Sequence, residues 1–168
     1  PSYRKKKPLS RKGEMSLMAK VQDWLERYMA VEELFPEEAA YQFSLPKDMD
    51  RDVLSFEQVE NVALRLRNQW NVGLSPLGNL AELLEERGIK VGVIDADDQF
   101  DALILMANNA PVMVIRSGLP GDRQRFSMAH ELGHLVMSIG AELNEEKAAN
   151  RFAGAFLVPR PVAYQELG

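Results

Sequence analysis

The chain has 168 residues and a mass of 18.9 kDa, enough to bury a substantial core, and one domain is expected over 16–168. It contains no cysteine, which excludes disulfides and thiolate zinc sites, and no apolar run approaches the roughly 18 residues of a membrane span. The net charge of −5 is unevenly placed: residues 1–12 carry six Lys/Arg and no acid, leaving 14 basic and 25 acidic residues over 13–168, a net of −11. Such an acidic body repels phosphate, so direct nucleic-acid binding by it is not expected. The basic arm reads as a solvated linker or tail over 1–15. With no signal-peptide core, a cytoplasmic location is expected. The start at Pro rather than Met suggests a segment of something longer.

In chain order, "SLMAKVQDWLERYMAVEELF" (16–35) sets Leu17, Val21, Trp24, Leu25, Tyr28 and Met29 at helical spacing, ended by Pro36. A polar connection follows. Ser55 then opens a helix with Gln58 at the capping-box offset. Residues 75–88 are expected as a third helix, with Ser75 as N-cap, Pro76 in the first turn and Gly88 past the end. The period then changes. "IKVGVID" (89–95), "DALILMA" (101–107) and "APVMVIR" (110–116) read as three strands of a small, mostly antiparallel sheet joined by tight turns. A helix over about 122–139 and a last one from Asn144 to about Leu157 complete an α+β fold.

The chemistry lies in "RFSMAHELGHLVMS" (125–138), which holds the only two histidines in the order H-E-x-x-H. Positions i and i+4 share a helix face, about 5–6 Å apart at Cβ, so His130 and His134 can offer imidazole nitrogens to one ion. Glu131, one residue along, reaches beside such an ion, where a carboxylate can take a proton from water. The spacing alone also arises by chance. Against that, Phe126, Met128, Ala129, Leu132, Leu135 and Val136 make this a largely buried helix, where two unsatisfied imidazoles would be costly.

A third ligand defines the subclass. The glycine and histidine of a metzincin would fall on Met137 and Gly140, so that pattern fails. A gluzincin needs a Glu on a following helix and a hydrogen-bond acceptor four residues later. "NEEKAANRFAGAF" supplies Glu146 and Asn150 at that interval. Glu145 competes, but its i+4 residue is Ala149, and Glu142 is a weaker candidate. Asn150 could accept from the second nitrogen of a ligand histidine and fix its tautomer.

"RFSMAHELGHLVM" followed by "EEKAANRFAGAFLVP" resembles the ImmA/IrrE family of bacterial and phage zinc-metallopeptidase-like proteins. Its pattern is an H-E-[LF]-G-H helix, then E-x-x-A-N-x-F-A and a short apolar run ending in Pro. Glu146, Ala149, Asn150, Phe152, Ala153 and Pro159 match in register, and the similarity covers about 55–160. The resemblance implies a zincin-like domain of gluzincin type, binding zinc or alternatively manganese. It also implies a protein substrate, an XRE-type helix-turn-helix repressor of a stress or mobile-element response, and no membrane. Relatives often carry a helix-turn-helix domain N-terminal to this one. The interval from His134 to Glu146 is shorter than in many relatives.

Peptide hydrolysis also needs a donor for the tetrahedral oxyanion. Tyr164, Arg151, Arg123 and Arg125 are the side-chain candidates, with backbone N–H groups from 111–116. That strand could also pair with an extended substrate if it forms a sheet edge. Two functions fit: a zinc endopeptidase, or a sensor module that keeps the fold but acts by binding a partner.

Overall fold

A computed structural model describes residues 2–5, 10–34, 42–97 and 99–159. It has five helices and two small sheets among these residues. The chain falls into two compact units, Pro1–Ser44 with Ala81–Gln124, and Leu45–Leu80 with Arg125–Gly168. No helix among the described residues is long and apolar enough to cross a membrane.

The first unit is a helix on a sheet. Helix α1 (Arg11–Leu34) begins earlier than its apolar spacing suggests, because Ser10 caps it: Gly13 N–H donates to Ser10 Oγ at 3.1 Å. Strand β1 (Ser2–Lys5) occupies part of the segment expected to be a solvated arm and pairs antiparallel with β4 (Phe100–Ala107). With β3 (Lys90–Ile94) and β5 (Ala110–Arg116) the order is β1-β4-β5-β3, four strands rather than three. The hairpin β4–β5 is antiparallel and turns on Asn108 and Asn109, at φ 49° and 64°, as a two-residue primed turn requires. β3 departs from the expected antiparallel arrangement and runs parallel to β5. β5 lies between β4 and β3, and its Val112, Met113, Val114 and Ile115 are all fully buried, the pattern of a central strand covered on both faces. β5 is therefore interior, not the free edge considered for an extended substrate. Leu17 and Val21 of α1 pack on Ile94, Phe100, Leu103, Val112 and Val114. Gly92 admits Trp24, whose ring would lie 2.4 Å from a Cβ at that position.

The second unit is mostly helical, with one two-stranded sheet. Helix α2 (Phe56–Gln69) has the capping box the sequence indicates, with Gln58 N–H on Ser55 Oγ at 3.3 Å and Ser55 N–H on Gln58 Oε1 at 3.1 Å. Its buried face, Val59, Val62, Ala63 and Leu66, packs on α5 (Glu145–Leu157), which buries Ala148, Ala149, Phe152, Ala153 and Phe156. Asn144 caps α5 through Lys147 N–H at 2.9 Å. Helix α4 (Gly121–Val136) stops three residues before its expected end. There Ser138 N–H donates to Arg51 O at 2.9 Å, and β6 (Ser138–Ile139) pairs in parallel with β2 (Asp52–Val53).

Helix α3 (Leu80–Glu86) also starts later than Ser75. The carbonyls that would open it are taken by arginines. Arg67 donates to Gly73 O at 2.7 Å and to Ser75 O, and Arg125 donates to Leu77 O and Gly78 O at 2.7 and 2.9 Å. Arg67 is fully buried and also donates to Phe156 O in the last turn of α5, where a cation complements the helix dipole. Burial pushes its pKa below the usual arginine value, and three carbonyl acceptors offset that desolvation.

Arg67→Met would leave those carbonyls without their donor. It is expected to cost about 2–4 kcal/mol in urea unfolding, whereas the exposed Arg65→Met is expected to stay within about 0.5 kcal/mol.

Candidate metal centre

Helix α4 carries the histidines in its last two turns, with Ser127 to Gly133 all buried. His130 and His134 lie one turn apart on one face, ring centroids 4.8 Å apart and nearly perpendicular, with side chains only 1% and 2% exposed. Glu131, one position on, is fully buried.

Helix α5 brings the acceptors. A Cβ on Gly133 would meet Phe152 Cδ1 at 3.0 Å, so the glycine between the histidines lets the two helices come close. Glu146 then places Oε2 at 3.4 Å from His130 Nε2 and Oε1 at 3.3 Å from His134 Nε2. The two Nε2 atoms are 3.1 Å apart. His130, His134 and Glu146 thus form a group whose ligand atoms could share one ion.

Behind the rings sit two further acceptors. His130 Nδ1 faces Asn150 Oδ1 at 3.0 Å, and His134 Nδ1 faces Glu145 Oε1 at 3.1 Å. With each Nδ1–H donating backward, both Nε2 lone pairs point forward, toward each other and toward a carboxylate. Three electron-rich groups that close repel unless a cation or proton lies among them. Ligands at 2.0–2.2 Å in a tetrahedron sit about 3.3–3.6 Å from one another, close to the separations found here. The donor set of two imidazoles and a carboxylate therefore fits a divalent ion. The carboxylates are on the wet side: the Glu146 and Glu145 side chains are 54% and 63% exposed.

The remaining candidates are engaged elsewhere or lie apart. Arg123 donates from Nε to Asp101 Oδ2 at 3.0 Å, within the first unit, where Arg116 Nη2 lies 3.6 Å from Asp101 Oδ1. Arg125 holds the 77–78 carbonyls, and Arg151 pairs with Glu60 of α2. Tyr164 lies outside the described residues. Glu142 is exposed and not part of the cluster. In the sequence Glu145 competes with Glu146 but is followed at i+4 by Ala149. Its contact runs the other way, through its own carboxylate to His134, and no local spacing signals a partner eleven residues back.

No curated protein matches the chain. The Peptidase M78 family, described as the IrrE N-terminal-like domain, matches residues 84–167, half of the chain. That span contains α4 with both histidines and α5 with Glu145, Glu146 and Asn150. The matched half and the histidine–carboxylate cluster inside it agree: the chain belongs to the IrrE N-terminal-like (Peptidase M78) family, a metallopeptidase-like domain.

Proposed function

We propose that the protein is a zinc-dependent endopeptidase of gluzincin type, with His130, His134 and Glu146 as metal ligands, Asn150 as the residue fixing His130, and Glu131 as the general base. The observation that carries this reading is the convergence of two backward-tethered imidazoles and one carboxylate, with donor atoms 3.1–3.4 Å apart. A divalent ion held there would supply Lewis acidity toward a peptide carbonyl and toward water. Zinc suits two imidazoles and a carboxylate at tetrahedral spacing, and manganese is the alternative ion.

The chain's own residues would do the rest. His130 and His134 are oriented as ligands by Asn150 and Glu145, whose oxygens face their Nδ1 atoms. Glu131, buried beside the first histidine, would accept the proton from the attacking water and return it to the leaving amine. The substrate we infer is a helix-turn-helix repressor of the XRE type. This rests on the resemblance of the paired motifs, and the acidic body over 13–168 suits a protein partner better than nucleic acid.

A second reading draws on a specific observation. Arg123, Arg125 and Arg151, the described side chains considered for the oxyanion, all have other partners. If nothing else stabilises that charge, the domain would hold metal and act as a sensor that binds its partner without cutting it.

Two outcomes test these readings. Purified protein should take up one zinc per chain by elemental analysis, and His130→Ala or Glu146→Ala should abolish stoichiometric uptake at micromolar metal. Mixed with a candidate repressor, the zinc-loaded protein should yield two fragments by mass spectrometry, and chelation should stop it. Glu131→Gln should keep the zinc and cut at least about 100-fold more slowly. An intact repressor that co-elutes with both proteins would instead favour the sensor.

A further inference from the structure

The two histidines are held from behind by different chemistry. His130 Nδ1 meets a neutral amide oxygen, that of Asn150, whereas His134 Nδ1 meets the Glu145 carboxylate. A carboxylate accepting from Nδ1–H makes the imidazole a stronger donor through Nε2 than an amide does, and it locks the ring against rotation. Helix α5 does not need Glu145 for its own sake. Asn144 already caps its first turn, and Glu146 already places an acid there. At 63% exposure the Glu145 side chain is free to extend into water, yet it turns back to a ring that is 2% exposed. The adjacent pair of acids at the start of α5 thus divides its work: Glu146 faces both Nε2 atoms, and Glu145 faces the far side of one ring.

We propose that Glu145 is a positioning residue that orients His134 and strengthens its hold on the metal. The inference rests on the reading of His130, His134 and Glu146 as the metal centre, and adds Glu145 behind it as a charged counterpart to Asn150. Together the two place an acceptor behind each ring, one charged and one neutral. Removing the charged one should weaken the ion more than its surface location suggests.

The test is the zinc dissociation constant of the full chain, measured by competition with a chromophoric chelator. Glu145→Ala should weaken zinc binding roughly 10- to 100-fold, in the range found when a partner of a ligand histidine is removed. Glu145→Gln should recover part of that loss, because its amide oxygen still accepts from Nδ1–H. Metal-free Glu145→Ala and Glu145→Gln should unfold at the parent's urea midpoint, as surface substitutions do. Unchanged zinc affinity in Glu145→Ala, in a protein that loses zinc on His130→Ala, overturns the role of Glu145 and leaves the metal centre standing. A parent chain that takes up no zinc, or whose affinity ignores His130→Ala and Glu146→Ala, overturns the metal centre and this inference with it.

Discussion

The distance between α4 and α5 is the constraint on which the histidine–carboxylate cluster depends. The carboxylate and amide oxygens that face the two imidazoles come from α5, and these side chains are short. The approach is set by what lies between the helices. Gly133 presents no side chain where Phe152 packs, and a Cβ there would touch the ring at 3.0 Å. On α5, Ala148, Ala149 and Ala153 are fully buried beside Phe152 and Phe156, so the helix combines large contacts with small ones. A wider gap would leave four acceptor contacts to two buried imidazoles unmade at once.

That spacing is in turn fixed from outside the pair. α2 packs on α5, and Arg67 of α2 reaches the carbonyl of Phe156 at the far end of the same helix. The guanidinium also gathers the carbonyls of Gly73 and Ser75, so one buried cation ties a loop and a helix end to α2. Arg151 and Glu60 join α5 to α2 nearer the cluster. Helices tied along their length hold ligand atoms more closely than loops would, which matters when donors must meet one ion within a few tenths of an ångström.

The electrostatics follow the same layout. The rings are buried and their carboxylate partners are more than half exposed, so the cluster is walled by apolar helix faces behind and open to water in front. With an acceptor behind each Nδ1, both Nε2 atoms face the Glu146 carboxylate on the side open to water.

The motif residues were legible in the sequence because their logic is local. The i, i+4 spacing of His130 and His134, the cap at Asn144, the capping box at Ser55 and Gln58, and the four-residue step from Glu146 to Asn150 all follow from helix geometry. Strand propensity over 89–116 was equally plain. Partnership was not. Nothing in short runs of Val and Ile says that β3 lies parallel to β5, or that β1 takes the edge of β4, because pairing is decided by which faces the whole unit buries. The start of α3 moved to Leu80 because Arg67 and Arg125, distant in sequence, claimed the carbonyls a helix would have used. Glu145 belongs to the same class. The sequence by itself determined the donor types and their helical register, which depend on neighbours within one turn. Only tertiary structure decided which acid faces which nitrogen, because that depends on how closely two helices pack.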